Sequence, residues 1–209
     1  MSQSAVTQPA IHRIRRAEIE RETLETKIAV ALDIDGRGSV SAQTGVPFLD
    51  HMIDALCRHA RFDVTVVCTG DAAMDPHHTV EDVGIVFGQA IRQCIGDRAG
   101  IARFGHAYAP LDESLARVVV DCSGRPFLHF EAAFPEELVA PGFVASLVEE
   151  FWRGVVMNAG LTVHIDLLRS RNSHHAAEAI FKAAAVALRE AFRLSGDPTR
   201  VPSTKGVLA

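Results

Sequence analysis

The amino-acid sequence predicts a single α+β unit built by internal duplication. Three observations carry this reading. The stretch HHTVED at 77–82 returns as HHAAEA at 174–179. Apolar Phe62, Val64 and Val66 line up with Leu161, Val163 and Ile165 at an offset of 99, while His77 and His174 stand 97 apart. The two-residue change falls in a loop, where insertions are tolerated. Strands and helices also follow one another in the same order twice, in units of roughly 95–100 residues. No Pro/Gly/Ser-rich linker separates the copies. One compact domain over 13–209 is expected, with halves of about 13–100 and 101–195 and a C-terminal tail at 196–209. Residues 1–12 read as a flexible N-terminal tail.

Each element has a local cause. Residues 13–37 read as a strand pair, because KIAVALDIDGRG alternates apolar and polar positions and ends at glycines. PFLDHMIDALCRHA (47–60) places Phe48, Leu49, Met52, Ile53 and Leu56 at helical spacing behind a proline. RFDVTVVCTGD (61–71) is a strand, and HHTVEDVGIVFGQAIRQCIG (77–96) is a helix stopped by glycine. ARVVVDCSGRPFLHFEA (116–132) reads as two strands around a Gly-containing turn. FVASLVEEFWRGVVMNAG (143–160) is a helix with Val144, Leu147, Val148, Phe151, Trp152 and Val155 on one side. LTVHIDLL (161–168) is an alternating strand, and HHAAEAIFKAAAVALREAF (174–192) is an Ala-rich helix.

Composition narrows the function. A formal charge of −5 and a pI near 6.0 argue against nucleic acid or an anionic membrane surface as the main partner. No apolar run approaches the roughly 18–20 residues of a membrane span. The opening MSQSAVTQPAIHRIRR lacks the apolar segment of a secretory signal. Cys57, Cys68, Cys94 and Cys122 form no C-x-x-C pair and read as small buried residues in a reducing compartment, so a cytoplasmic setting is expected.

The repeated HHxxE carries chemistry. On a helix, the first His and the Glu four later share a face, and so do the second His and that Glu. Adjacent residues point about 100° apart, so the two imidazoles serve two ions rather than one. Imidazole with carboxylate suits Mn²⁺, Fe²⁺ or Zn²⁺, and the lack of nearby thiolate disfavours a structural zinc site. Solvated histidines at a helix start are the bland alternative. Recurrence of the whole motif favours ligation. The offset of 99 also maps His51 onto Glu150. Each half then offers four ligands: His51, His77, His78 and Glu81, then Glu150, His174, His175 and Glu178. Two octahedral sites with open positions would suit catalysis rather than structure. His164, on the polar face of its strand, is read as a non-ligand; His59 either lines the pocket or is structural.

FLDHM, HHTVEDVGI, RFG, SGRP, NSHHAAEAIFKA and PSTKG, in that order, resemble the imidazoleglycerol-phosphate dehydratase family of histidine biosynthesis, over about 13–209. The resemblance implies dehydration of a phosphorylated imidazole, imidazole glycerol phosphate, to imidazole acetol phosphate with two Mn²⁺ ions per active site. It implies a fold of two β-β-α-β-α halves resembling the second domain of ribosomal protein S5, and trimers assembled into a 24-subunit shell. It carries metal ligation onto His51, His77, His78, Glu81, His174, His175 and Glu178. Catalytic roles fall on Glu25, Glu81 and Glu178, with Glu25 of LETK the candidate base. Substrate binding falls on Glu25, His59, Arg103, Arg125, Lys182, Ser203, Thr204 and Lys205, the cations making charge-assisted contacts to phosphate. One departure stands out. Many relatives read V-E-H-F where this chain has VEEF at 148–151. A metal contact through a Glu150 carboxylate oxygen is expected there. Two rival readings are a di-metal phosphoester hydrolase and a non-catalytic metal-binding shell.

Overall fold

The computed structural model describes residues 14–70, 72, 75–197, 199–204 and 206. The expected tail at 1–12 and Lys205 lie outside the described residues. The first half comprises β1 (Arg16–Glu22), β2 (Thr26–Asp33), β3 (Val40–Gln43), α1 (Pro47–Ala60), β4 (Asp63–Gly70) and α2 (Pro76–Ile95). The second comprises β5 (Phe104–Leu111), β6 (Ser114–Asp121), β7 (Phe127–Glu131), α3 (Ser146–Ala159), β10 (Thr162–Arg169) and α4 (Ser173–Phe192). A small hairpin, β8 (Leu138–Ala140) with β9 (Phe143–Val144), is inserted before α3.

The duplication holds to the residue. α3 and β10 begin 99 residues after α1 and β4, α4 begins 97 after α2, and β5 and β6 begin 88 after β1 and β2. The larger shift between β7 and α3 accommodates the β8–β9 hairpin. Both main sheets have the same topology, β1-β2-β4-β3 and β5-β6-β10-β7, with one parallel pair each. Each half carries one strand more than expected before its first helix, namely β3 and β5. The expected strand pair at 116–132 is not a hairpin. β6 and β7 are separated by β10, which pairs antiparallel with β6 and parallel with β7.

Alternation puts one face of each sheet inward: Ile28, Val30 and Leu32 of β2, and Ala116, Val118 and Val120 of β6, are buried. α2 lies on β1 and β2 and packs against α3; α4 lies on β5 and β6 and packs against α1. Thus each half's first helix packs on the other half's second. The α2–α3 crossing is backbone-close. A Cβ at Gly84 would lie 2.6 Å from the Phe151 carbonyl oxygen, and one at Gly88 would lie 2.4 Å from that of Val155. On α4, alanines at 176, 177, 179, 183, 184, 185, 187 and 191 are buried, so the Ala-rich run is what lets this helix sit close to a sheet and to α1.

Candidate metal and substrate site

The helix starts are fixed by caps that also aim the histidines. Asp75 caps α2 by accepting the His77 N–H (2.9 Å), with Pro76 supplying a ready-made first turn. Asn172 caps α4 by accepting the His175 N–H (3.1 Å). Asp50 of α1 accepts the Thr44 N–H (2.8 Å) and hydroxyl (2.6 Å), fixing the chain as it enters the helix of His51.

Three expected ligands converge across the α1–α4 contact. His51 Nε2 and His174 Nε2 each lie 3.4 Å from Glu178 Oε2. Donors at about 2.1 Å from an ion and at right angles stand roughly 3 Å apart, so the set suits one divalent cation with little movement. The other Glu178 oxygen accepts from Lys182 Nζ at 2.6 Å. Partial burial raises the Glu178 carboxyl. The hydrogen bond and charge of Lys182, with those of His51, outweigh that and hold it below its ordinary value. Phe48 walls the cluster, its ring 5.1 Å from His174 edge-on, and Phe143 of the inserted hairpin backs Phe48 at 4.8 Å. The hairpin is pinned beside His174 by Ser173, whose hydroxyl bonds both the N–H and the carbonyl of Glu136 at 2.8 Å.

This grouping corrects the assignment of ligands by half. His51 stands with His174 and Glu178 of the second half, not with His77, His78 and Glu81 of its own, because α1 packs on α4. The corresponding set at the α2–α3 contact is looser. His77 Nε2 is 3.8 Å from Glu81 Oε2, and Glu150 lies 3.6 Å from Arg153 on its own helix. The adjacent rings are perpendicular, 88° between His77 and His78 and 86° between His174 and His175.

The remaining expected residues divide. Glu25, in the β1–β2 turn, lies 3.7 Å from His78 Nδ1. Buried Asp82, beside Glu81, takes the Thr26 hydroxyl and pairs with Arg21, so it ties that turn to α2. Arg103 pairs with Asp121 at 2.7 Å and donates to the Pro202 carbonyl at 2.7 Å, which joins the RFG and PSTKG segments and sets Ser203 and Thr204 next in the chain. Arg125 is exposed in the loop after β6, with its carbonyl held by Thr162 at 2.9 Å. Lys182 is at Glu178 rather than beside Arg103. His59 is exposed in the last turn of α1, eight residues and about 12 Å along the helix from His51, outside the cluster. His164 sits on the outer face of β10 against His129, ring centres 5.3 Å apart.

Glu113 was not singled out by the sequence. Its carboxylate bonds His175 Nδ1 at 3.1 Å, and mainly this contact pulls its pKa down to about 2. It stands 88 residues after Glu25, the offset that relates β1 and β2 to β5 and β6.

The fold and site define a duplicated α+β enzyme with an imidazole–carboxylate centre at its helix crossings. The sequence model of imidazoleglycerol-phosphate dehydratase matches residues 44–188. The chain is 54% identical over 197 residues to the imidazoleglycerol-phosphate dehydratase of Ralstonia nicotianae, covering 93% of this chain and 99% of that one. It is 53% identical over 197 residues to that of Acidithiobacillus ferrooxidans, covering 93% and 98%. The crystal structure of the Staphylococcus aureus enzyme superposes with a TM-score of 0.78 at 41% identity, covering 86% of this chain and 99% of that one. The chain belongs to the imidazoleglycerol-phosphate dehydratase family. It is a hydro-lyase of histidine biosynthesis.

Proposed function

We propose that the chain converts imidazole glycerol phosphate to imidazole acetol phosphate and water, with two Mn²⁺ ions per active site. The observation that carries this is the convergence of His51, His174 and Glu178 on one point, repeated in kind by His77 and Glu81. The donor set, imidazole and carboxylate without thiolate, fits Mn²⁺. His51, His174 and Glu178 would hold one ion; His77, Glu81 and Glu150 the other; His78 and His175 point away from both clusters and would complete sites on neighbouring subunits. Bound Mn²⁺ supplies Lewis acidity toward the two nitrogens of the substrate's imidazole ring.

The chain's own groups do the rest. Arg103, Arg125, Ser203, Thr204 and Lys205 hold the phosphate, with Arg103 drawing the C-terminal segment in through Pro202. Glu25 takes the proton from the carbon beyond the one that bears the departing hydroxyl. The hydroxyl on the carbon next to the ring leaves as water with the proton that Glu25 took up, and the enol gains a proton at that carbon as it gives up its hydroxyl proton, which makes the ketone. Glu81 and Glu178, beside the rings of His77 and His174, would hold the metal ions and share the catalytic work with Glu25. Sites that His78 and His175 complete for neighbouring subunits fit assembly of trimers into a 24-subunit shell. Buried Cys57, Cys68, Cys94 and Cys122, joined by no disulfide, support the cytoplasmic expectation.

The test strips the protein with chelator, restores Mn²⁺ and follows ketone and free phosphate together. Metal-dependent ketone without phosphate release supports the reading. Phosphate release would favour a phosphoester hydrolase, and bound Mn²⁺ with neither product would leave a metal-binding shell. A monomeric mass by light scattering, with Mn²⁺ bound, would refute the shell.

A further inference from the structure

Glu25 and Glu113 are copies of one residue, each at the tip of a hairpin and each facing the second histidine of an HHxxE helix. Their contacts differ. Glu25 is half exposed and 3.7 Å from His78; Glu113 is less exposed and hydrogen-bonded to His175 at 3.1 Å. A carboxylate only accepts, so Nδ1 of His175 must be the protonated nitrogen and Nε2 keeps its lone pair. Glu113 is itself held. Its second oxygen accepts from Ser114 (3.2 Å), Ser114 accepts from Ser170 (2.7 Å), and Ser170 accepts the Asn172 N–H (3.2 Å). Asn172 caps the His175 N–H, so the relay closes on the residue where it began. In the first half the position of Ser114 is Thr26, whose hydroxyl goes to Asp82 instead, and the turn carboxylate is left outside any such ring.

We propose that Glu113 is a positioning residue: it fixes the tautomer and ring of His175 so that Nε2 is presented to a metal ion, while its copy Glu25 has been released for work on the substrate. The duplicated carboxylate has thus divided into an orienting group and a reacting group. A hydrogen-bonded carboxylate behind a ligating imidazole sharpens metal affinity 10–100-fold. The proposal rests on the reading that His175 binds metal.

The test compares wild type, Glu113→Ala and Glu25→Ala as assembled, chelator-treated proteins. Mn²⁺ affinity is measured by titration, and imidazole tautomers by solid-state ¹⁵N spectroscopy of histidine-labelled apo protein. Glu113→Ala is expected to weaken one class of Mn²⁺ site about 10–100-fold and to lose one Nδ1-protonated imidazole signal. Glu25→Ala is expected to leave the affinity within about twofold and to lower kcat. A Glu113→Ala protein with wild-type affinity, or with the signal retained, overturns the proposal. If Glu113→Ala does not assemble, Glu113→Gln keeps the shape and loses the charge. Weakened binding and a shifted His175 signal then support the proposal, and neither change overturns it. Wild-type protein that binds no Mn²⁺ would instead fail the underlying functional reading.

Discussion

On α1 and α4, His51, His174 and Glu178 meet around one carboxylate oxygen and Lys182 anchors the other. At the matching positions on α3 and α2 stand Glu150, His77, Glu81 and Ile85. The backbones correspond residue for residue, yet the chemistry has separated. Glu81 has no lysine one turn on, and Arg153, where α1 carries Asp54, draws Glu150 toward its own helix. The crossings differ too: Gly84, Gly88 and Gly154 correspond to Phe181, Ala185 and Ala55. One crossing is thus preorganised by charge, the other by close backbone contact. Duplication preserved where ligands stand and let what holds them vary.

The largest effect expected from breaking this comparison is Glu178→Ala. It removes the oxygen on which both imidazoles converge and leaves Lys182 as an uncompensated cation. Turnover should fall by about 10³ or more, since loss of Lewis-acid stabilisation costs several kcal/mol. Mn²⁺ affinity should fall further than in Glu81→Ala, where no lysine is left unpaired. Equal losses by titration would show that Lys182 preorganises nothing.

Next in size is the close crossing. Gly84→Ala places a methyl 2.6 Å from the backbone oxygen of Phe151, which cannot swing away as a side chain would. The helices must part, at a cost of about 1–3 kcal/mol, and Glu81 must move from Glu150. The melting temperature should drop by several degrees, with weakened Mn²⁺ binding. Ala185→Gly, at the α4 counterpart of Gly88, should cost only about 1 kcal/mol through helix propensity and lost packing. Comparable melting shifts would remove the distinction between the crossings.

Smaller again is the effect at position 150. Glu150→His replaces the carboxylate with an imidazole like that of His51 and should tighten the second Mn²⁺ site by up to about tenfold. Glu150→Ala should loosen it, or reduce the ions bound per chain. Arg153→Ala should move affinity in the same direction as Glu150→His by releasing the carboxylate. Stoichiometry and affinity unchanged in Glu150→Ala would show that this carboxylate is not a ligand.

Much of the frame was legible. Pro47 and the apolar spacing behind it mark α1 to the residue, and the repeat of HHxxE places α2 and α4. β5 was not legible, because its inward positions are Gly105, Ala107 and Ala109, too small to show as an apolar stripe. Small size is what the packing demands: a Cβ at Gly105 would lie 2.0 Å from the Ala187 carbonyl oxygen of α4. β3 is only four residues, VSAQ, half-buried Val40 and Ala42 alternating with exposed Ser41 and Gln43, a run too short to stand out as a strand. Without β5 the offset of 88 is invisible, and with it the kinship of Glu25 and Glu113. The duplication yields equivalent positions, not contacts, so it pairs His51 with Glu150 but is silent on His51 meeting Glu178. That meeting depends on each half's first helix crossing to the other half.

The smallest effect sharpens the comparison between Glu25 and Glu113 through pH, in protein kept free of metal. The Glu113 carboxyl titrates near 2 in the folded protein, against 4.5 for an ordinary glutamate, chiefly because His175 hydrogen-bonds its charged form. A depressed folded-state pKa contributes stability that is fully present above the unfolded value and is lost as pH falls through the folded one. The contribution of Glu113 should therefore fade between about pH 4.5 and about pH 2. Wild type and Glu113→Gln should differ in melting temperature above this window and converge at its lower end. Glu25 stands 3.7 Å from its histidine and makes no hydrogen bond to it, so the first hairpin lacks this contact. Parallel melting curves for Glu113→Gln and wild type throughout the window would mean that the second hairpin's carboxylate is no more tightly engaged than the first.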